Sequence, residues 1–404
     1  MGVVHKYGGT SVATIEKIQA VAERVAEVRR SGEDIAVVAS AMGKTTDKLI
    51  QMAYSLNDAP SRRELDSLLS TGEQTTVTLL AMALEALGVP AVSFTGFQAG
   101  IKTDSSHSHA TIMEIDSRRI EKAIADGKVP VIAGFQGIDP EGDIATLGRG
   151  GSDTTAVAVA AKLGWDCEIY TDVDGVYTVD PRRCPDARKL DVITADEMIE
   201  LSAMGAGVLE TKSVEIAKRY GVKLYLGRSL EKDKSKGTYV VSRPFNGSVV
   251  TGMGIMDDCA MIQARCPFGD GSVGRVFGHL SELDIDADMV YQQLLDEGDV
   301  ILSFGCKGED ATRLEHALED DPEQYGFAIK HRLARISLVG VGLGVRSGVA
   351  EKMIGLLFEN NIEHYQISTS EITVSAVIDQ NDLQRACGLL AAAFDLCEKQ
   401  EGDR

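Results

Sequence analysis

The stretch TLGRGGSDTTAVAVAAKLG, residues 146–164, decides the fold class of this chain. It passes from a short strand end through a loop that holds Arg149 among three glycines, and then enters an Ala/Val-rich helix. Ser152 and Asp153 stand where the helix begins, so bare N–H groups and a guanidinium fork converge on one spot. Capping by Ser152 or Asp153 leaves the arginine unexplained, and we therefore predict an anion site between a strand and a helix.

Two other segments repeat this arrangement of strand end and polar loop. KYGGTS (6–11) places Lys6 beside two glycines ahead of a helix, and SAMGKTTD (40–47) follows a second strand. Glycines permit close backbone approach to an anion, and a lysine adds a mobile positive charge. The alternative for the first segment is a tight turn in which Thr10 or Ser11 caps the helix.

Two further segments carry acidic residues. In TGEQ (71–74), Glu73 is either a functional carboxylate or a first-turn acid that compensates the dipole of a long helix. The segment IYTDVDGVYTVDPR (169–182) contains DVDG, which invites comparison with a calcium loop. Counted from Asp172, however, two liganding positions of that loop fall on a valine and an arginine, so the calcium template fails.

Two more patterns have ordinary explanations. GVGLGVRSG (340–348) mimics a dinucleotide-binding fingerprint, but it lacks the surrounding βαβ unit, and we predict no NAD site there. The pair His107 and His109 in SSHSH is expected to lie in a polar loop rather than to bind a metal ion.

Upstream of residue 250, short apolar strands alternate with helical segments. The first helix is predicted at Ile15–Arg30, where apolar residues recur at helical spacing. Such alternation predicts a parallel α/β sheet that is covered on both faces. The predicted strands are Val3–Lys6, Ile35–Ser40, Val89–Phe94, Val129–Phe135, Glu168–Thr171 and Val222–Leu226.

Downstream of residue 255 the pattern changes to two copies of strand, helix, strand, strand, helix. Val276 and Met353 occupy corresponding positions 77 residues apart (353 − 276), which indicates a tandem repeat of two small α+β units. The charge changes at the same place, from 34 acidic and 29 basic residues before residue 255 to 27 and 12 after it. We predict domains at 1–248, 255–330 and 333–404.

Composition excludes several classes of function. The 404 residues include 41 Lys+Arg against 61 Asp+Glu, a net charge of −20 that disfavours a nucleic-acid partner. The seven cysteines form no CxxC pair and fit neither a disulfide framework nor a zinc ribbon, so we expect a reducing cytoplasm. Because the sequence has no apolar run of about 18 residues, we expect no signal peptide, no membrane span and no membrane partner.

Taken in order, seven segments of the chain resemble the aspartate kinases of the amino-acid-kinase superfamily. They are KYGGTSV, SAMGKTTDKL, STGEQ, FTGFQAGIKTD, PVIAGFQGID, GDIATLGRGGSDTTAVAVAAKL and YTDVDGVYTVDPR. Further on, DADMVYQ and ISTSEITVSAVI resemble the paired ACT domains of that family. The resemblance implies a three-layer amino-acid-kinase domain with a mainly parallel central sheet, followed by two α+β, ferredoxin-like ACT domains. It also implies a homodimer or higher homo-oligomer formed through the ACT domains.

The resemblance implies transfer of the γ-phosphoryl group of ATP, with Mg²⁺, to the β-carboxylate of L-aspartate in lysine, threonine and methionine synthesis. Lys6 and Asp153 match catalytic positions of the family. The residues that match its substrate-binding positions are Ser40, Thr45, Thr46, Asp47, Glu73, Arg149, Gly150, Gly151 and Ser152. Those that match its nucleotide-binding positions are Lys6, Gly8, Gly9, Thr171, Asp172, Tyr177 and Arg182. Candidate regulatory residues for an amino-acid effector are Asp288, Gln292, Thr369 and Ser370, and no residue is assigned as a metal ligand.

These residue types suit such a reaction. The side chain of aspartate, with a pKa of about 3.9, is already ionised at neutral pH and needs no general base. The obstacle is the approach of one anion to another, which Lys6, Mg²⁺ and backbone N–H groups would offset. Arg149 could then pair with the α-carboxylate of the substrate and Glu73 with its ammonium group.

The chain departs from the family pattern in two regions. GAGVLETKS (205–213) replaces a GAKVLHPRS-like string, with Gly207, Glu210, Thr211 and Lys212 where Lys, His, Pro and Arg are expected, which affects the nucleotide site. The effector loops differ as well, and we therefore expect feedback inhibition by lysine or threonine to be altered or absent. The altered effector positions are Phe268, Asp270, Asp286, Ala287, Val345–Gly348, Glu363 and His364.

Two alternatives to an aspartate kinase stay open at this point. One is a related enzyme that phosphorylates another small carboxylate, and the other is a catalytically silent amino-acid sensor. Retention of Lys6, Glu73, Arg149 and Asp153 together argues against the sensor.

Overall fold

The computed structural model describes residues 2–206, 209–242, 249–269, 271–295, 298–319, 326–345 and 347–398. Contacts between residues divide the chain into two compact units. The first unit holds the described residues of 1–176, 189–203 and 207–246. The second holds those of 177–188, 204–206 and 247–404.

The first unit is an alternation of strands and helices. Its strands are β1 (Gly2–Tyr7), β2 (Asp34–Ala39), β3 (Ala91–Phe94), β4 (Ile101–Thr103), β5 (Ile112–Ile115), β6 (Val129–Ala133), β7 (Gln136–Ile138), β8 (Ile144–Thr146), β9 (Asp166–Thr171), β10 (Val176–Tyr177, which ends at the unit boundary), β11 (Lys189–Leu190), β12 (Val192–Thr194), β13 (Leu224–Arg228) and β14 (Thr238–Val241). Its helices are α1 (Ile15–Arg30), α2 (Thr45–Leu56), α3 (Arg62–Ala86), α4 (Arg118–Ala125), α5 (Gly151–Leu163), α6 (Ala195–Leu201) and α7 (Thr211–Tyr220).

The main sheet of this unit has eight strands in the order β12-β14-β13-β9-β1-β2-β6-β3. Every neighbouring pair is parallel except β13 with β14. The mainly parallel sheet predicted from the alternation of strands and helices is thereby confirmed. A smaller four-stranded sheet, in the order β5-β4-β7-β8, lies beside it in the same unit.

The centre of the main sheet is made of β9, β1 and β2, which are buried almost throughout. Alternate residues of β1, Val3 and Tyr7, pack with apolar residues of α1 and α3 in one core cluster. Lys6 has the opposite orientation in the strand and lies in register between Val38 of β2 and Ile169 of β9. The central strand therefore presents one cationic side chain to the face opposite α1 and α3.

The second unit is a six-stranded antiparallel sheet with helices packed against it. Its strands are β15 (Gly252–Pro267), β16 (Asp288–Leu294), β17 (Asp299–Lys307), β18 (Gly326–Val339), β19 (His364–Thr369) and β20 (Thr373–Asp379). Its helices are α8 (Ser272–Glu282), α9 (Gly308–Glu319), α10 (Ser347–Glu359) and α11 (Leu383–Ala393). The strand order is β16-β17-β15-β18-β20-β19, so β16 and β19 lie at the two edges.

The two α+β repeats share this one sheet. Val276 of α8 and Met353 of α10, which the repeat predicts to be equivalent, are both buried, one in each of two core clusters. The long strands β15 and β18 pair from Gly252 opposite Val339 to Arg265 opposite Gly326 and so join the repeats. Strand β15 begins at Gly252, three residues before the predicted start of the first repeat, and Met253 packs in the core of the second repeat.

Candidate active site

Lys6 and Asp153 meet in the first unit. Lys6 is the penultimate residue of β1 and Asp153 lies in the first turn of α5, and Lys6 Nζ lies 2.6 Å from an Asp153 carboxylate oxygen. Both side chains are about one-tenth exposed, at 10% and 11%. A Cβ atom placed on Gly8 would lie 3.5 Å from Lys6 Nζ, so the first glycine of the loop faces the ammonium group. The structure thus brings the two predicted catalytic residues into contact.

The loops that follow β1 and β2 are hydrogen-bonded to each other. The N–H of Gly43 donates to the carbonyl of Gly9 at 3.0 Å, and a Cβ on Gly9 would lie 2.8 Å from the carbonyl oxygen of Ala41. No side chain larger than hydrogen fits at residue 9 without displacing backbone. The suggestion that Thr10 or Ser11 caps the first helix is wrong, because a 3₁₀ turn (Gly9–Val12) intervenes and Thr14 caps α1.

Glu73 is a buried acid in the middle of α3. The first-turn interpretation is therefore wrong, since α3 begins eleven residues earlier at Arg62 (73 − 62). One oxygen of Glu73 accepts a hydrogen bond from the N–H of Ala41 at 3.0 Å. The other oxygen is buried without a hydrogen-bond partner among the described residues, and burial raises the pKa of Glu73 to about 7. The ionised form of such a buried carboxyl would be stabilised by a cationic ligand that pairs with the free oxygen.

The arginine loop leads into α5 with an unusual backbone. Gly150, at a φ of 67°, is the residue that precedes the helix, and no side chain caps it. The alternative in which Ser152 or Asp153 caps α5 is consequently wrong. Arg149 is exposed and forms no ion pair or hydrogen bond with any described residue, so its guanidinium is available to a ligand. Ser152 is buried against the end of β6, where a Cβ on Gly134 would lie 2.7 Å from it.

The segment that departs from the family pattern lies against this loop. A Cβ on Gly150 would lie 2.4 Å from the Cβ of Glu210. Burial, followed by the nearby charge of Asp153, raises the pKa of Glu210, while Lys212 and Arg149 act in the opposite direction. The replaced segment therefore adds an acid beside the predicted substrate loop. Gly207 lies outside the described residues.

Comparison with known proteins is consistent with this geometry. The profile of the amino acid kinase family matches residues 1–228, and that of the ACT domain matches residues 336–394. An aspartokinase of Bacillus sp. (strain MGA3) is 43% identical over 401 residues, which cover 98% of this chain and 97% of the relative.

The chain belongs to the aspartokinase family. The crystal structure of E. coli aspartokinase III in complex with aspartate and ADP covers 97% of this chain and 99% of its own, with a TM-score of 0.82 and 23% identity. The same enzyme in complex with lysine and aspartate gives a TM-score of 0.74 at 23% identity and the same coverage. These two likenesses support the fold, and together with the family matches they confirm the fold class predicted from the sequence.

The aspartokinase residues predicted to bind nucleotide fall in both units. Thr171 ends β9 in the first unit and Asp172 follows it, and the Thr171 hydroxyl donates to the Asp172 carboxylate at 3.0 Å. Tyr177 and Arg182 belong to the 177–188 segment of the second unit, and Arg182 pairs with Asp180 there at 2.7 Å.

The loop residues after β2 stand at the start of α2. Thr45 is the first residue of this helix, with Thr46 and Asp47 next to it in the first turn. The Thr45 hydroxyl donates to the carbonyl of Met42 at 2.6 Å. Ser40 follows β2 directly, and its N–H donates to the carbonyl of Tyr7 at 3.1 Å, so Ser40 adjoins the end of the central strand.

The four regulatory predictions lie at opposite edges of the second unit's sheet. Asp288 and Gln292 are on edge strand β16, and the Asp288 carboxylate forms an ion pair with Arg335 of β18. Thr369 ends the other edge strand, β19, and the hydroxyl of Ser370 accepts the N–H of Thr373 at 3.0 Å. Of the altered effector positions, Phe268 is exposed, while Asp270 lies outside the described residues.

Two findings concern metals and membranes. Over the described ranges, no group of three or more His, Cys, Asp or Glu side chains could hold a metal ion. None of the described helices is both long and apolar enough to cross a membrane.

Sequence reasoning did not single out Asp66, a fully buried acid on α3. Its signal is positional, since Asp66 lies seven residues, or about two helical turns, before Glu73 and hence on the same buried face.

Proposed function

We propose that this chain transfers the γ-phosphoryl group of ATP to the β-carboxylate of L-aspartate, giving 4-phospho-L-aspartate. The observation that carries the proposal is the buried Lys6 ammonium, held 2.6 Å from Asp153 beside the glycine loop. A buried lysine at the end of a central strand, next to glycine N–H groups, suits the stabilisation of phosphate charge.

The charge on the transferred group sets the chemical task. An aspartate carboxylate is a competent nucleophile at neutral pH, so the protein must orient two anions and offset the charge that grows on the phosphoryl oxygens. Lys6 would contact those oxygens, and Asp153 holds its ammonium in place. Mg²⁺ would supply further charge neutralisation, bound mainly by ATP phosphates as is usual for this ion.

Substrate selection is proposed to come from two ends of a clamp. Arg149 can form a bidentate pair with the α-carboxylate of aspartate, since its guanidinium is exposed and forms no hydrogen bond or ion pair with the described residues. Glu73 would receive the ammonium group on its free oxygen. Such a clamp recognises an α-amino acid rather than any carboxylate.

We further propose that the enzyme works in the cytoplasm as a homodimer or higher homo-oligomer formed through the ACT domains. Its product would feed lysine, threonine and methionine synthesis. The lysine-bound structure of the E. coli relative supports an amino-acid effector in this family. The altered effector loops support feedback inhibition that is weakened or absent, and half-maximal inhibition by lysine or threonine below about 1 mM would overturn that part.

The reaction is tested by trapping acyl phosphate with hydroxylamine in the presence of Mg-ATP. We expect aspartyl hydroxamate from L-aspartate and none from glutamate or N-acetylglutamate. Lys6→Ala should abolish the product, whereas the matched control Lys102→Ala, at an exposed ion pair with Glu114, should not. Hydroxamate from another carboxylate alone would favour the related-enzyme alternative, and ligand-induced stabilisation without any product would favour the sensor.

A further inference from the structure

Asp66 is a buried carboxylate on the inward-facing side of α3. The residue is 0% exposed and is not part of any ion pair with Lys or Arg among the described residues. A buried carboxylate is costly unless its oxygens accept several hydrogen bonds. Both oxygens of Asp66 do so, and their donors come from the end of β8 and from the loop between β4 and β5.

The first donor residue, Thr146, is the last residue of β8 and leads into the loop that holds Arg149. The N–H of Thr146 donates to Asp66 Oδ2 at 2.8 Å, and the hydroxyl of Thr146 donates to Oδ1 at 2.7 Å. Thr146 is thus held by backbone and side chain at once, three residues before Arg149.

The other groups that contact Asp66 lie in the loop between β4 and β5. The N–H and hydroxyl of Ser108 donate to Asp66 at 2.8 and 3.2 Å, and His107 Nδ1 lies 3.2 Å from Oδ2. The carbonyl of Ser108 in turn lies against Gly148, where a Cβ would be 3.0 Å from that oxygen. The arginine loop is consequently supported on both sides by groups that Asp66 holds.

The same face of α3 organises the other loops of the site. Ser70, one turn after Asp66, accepts a hydrogen bond on its carbonyl from the Gln136 amide at 2.9 Å, next to the end of β6. Glu73 accepts the N–H of Ala41 after β2. Successive turns of α3 therefore contact the end of β8, the start of β7 and the loop after β2.

From these contacts we propose that Asp66 is a positioning residue for the Arg149 loop and sets the affinity for the α-carboxylate of the substrate. This inference rests on the proposed function. Asp66 touches neither substrate nor ATP and acts only through Thr146, Ser108 and the loop that they support. Misplacement of a binding group by about 1 Å can cost on the order of a hundredfold in rate.

The test compares Asp66→Asn with Asp143→Asn. Asp143 pairs with Arg63 at 2.6 Å and so links the same helix to the same β7–β8 hairpin, but at the surface. For Asp66→Asn we expect the KM for aspartate to rise about tenfold to a hundredfold while the KM for ATP changes less than about threefold. Asp143→Asn should leave both constants unchanged. Parallel increases in both KM values would overturn the proposal, because they indicate general loss of structure.

A double-mutant cycle tests whether Asp66 acts through Arg149. In an Arg149→Lys background, Asp66→Asn should cost far less than it does alone, since the group that it positions is already altered. Equal cost in both backgrounds would contradict the proposal. If Asp66→Asn does not fold, Thr146→Val removes only one donor and should raise the KM for aspartate by a smaller factor, and an unchanged KM would count against the idea.

Amide hydrogen exchange gives a measurement that is independent of activity. The peptide spanning residues 144–151 should exchange faster in Asp66→Asn than in the wild type or in Asp143→Asn. If the wild type fails to phosphorylate aspartate, the proposed function fails, but the exchange rates still decide whether Asp66 holds this loop. Unchanged exchange would overturn the positioning role even in an active enzyme.

Discussion

Replacement of Glu73 by glutamine should separate the binding of aspartate from the stability of the fold. Glutamine keeps the acceptor for the Ala41 N–H, at 3.0 Å in the wild type, and removes only the charge. Breaking a buried ion pair by removal of one partner costs about 3–5 kcal/mol. If Glu73 receives the substrate ammonium, the KM for aspartate should therefore rise by about a hundredfold to several thousandfold, with little change in the KM for ATP.

The pH dependence follows from the same carboxyl group. Because burial raises the pKa of Glu73 to about 7, the group is half protonated at neutral pH and must lose its proton to pair with an ammonium. The apparent affinity for aspartate should increase about tenfold between pH 6 and pH 8, with a midpoint near 7. In Glu73→Gln that increase should disappear.

The stability of the substrate-free fold should decrease as the pH rises, whereas the affinity for aspartate increases. A carboxyl whose pKa is higher in the folded state favours folding while it is protonated, and its contribution is lost as the pH rises from about 4.5 to about 7. At pH 8 the buried charge carries a penalty of about 3 kcal/mol, at 1.36 kcal/mol per unit of pKa. Substrate-free Glu73→Gln should thus be more stable than the wild type at pH 8 and similar to it at pH 4.

Initial rates at varied aspartate concentration, measured from pH 6 to pH 8.5, and thermal unfolding at pH 4 and pH 8 provide the assay. Glu85→Gln, at an exposed position on the same helix, is the matched control. A KM for aspartate within about threefold of the wild type, or a retained pH dependence in Glu73→Gln, would refute the assigned role. Lower stability of Glu73→Gln at pH 8 would refute the buried-charge argument.

Three further outcomes are expected. Asp153→Asn should lower kcat by a larger factor than it changes the KM for aspartate or for ATP, because the Lys6 ammonium loses its anchor. Steady-state kinetics with both substrates check this, and a rise in both KM values instead would contradict it. Gly9→Ala should destabilise the protein by about 1–3 kcal/mol, measured by denaturant unfolding, because its Cβ would meet a backbone carbonyl at 2.8 Å. The sulfur atoms of Cys184 and Cys397 lie 3.0 Å apart, so hydrogen peroxide should link them, with loss of two hydrogens to form water. Peptide mapping by mass spectrometry checks this link, and Cys397→Ser should abolish it.

The repeat in the second half of the chain shows which features of the fold periodicity alone can predict. The spacing of the repeat predicts Val276 and Met353 in equivalent helices, and each is buried in its own core cluster. Local patterns succeed here because apolar residues at helical or strand spacing must face a core wherever that core lies. The joining of both repeats into one sheet through β15 and β18 depends on pairing between residues far apart in sequence, which no local pattern reports.

The residues of the site show the same contrast between what local patterns predict and what depends on contacts between distant segments. Lys6 and Arg149 stand out in the sequence because charged residues among glycines at strand ends have few structural explanations, whereas the role of Asp153 is implied by the family resemblance. The sequence leaves the position of Glu73 within its helix open, because a carboxylate near a helix start cannot be distinguished from one in a helix centre when the helix boundary is unknown. The sequence does not point to Asp66, because its role depends on donors from two distant segments of the chain.

The sequence by itself determined the alternation of strands and helices, the repeat, the residue types of the site and the membership of a family. Those properties are local, or are carried by ordered motifs that survive without knowledge of distances. Only the tertiary structure decided that Lys6 and Asp153 are in contact, that one oxygen of Glu73 is buried without a described partner, and that Asp66 supports the arginine loop. Burial and hydrogen-bond partnership arise from chain segments that meet in space, and they set the energy of each charge.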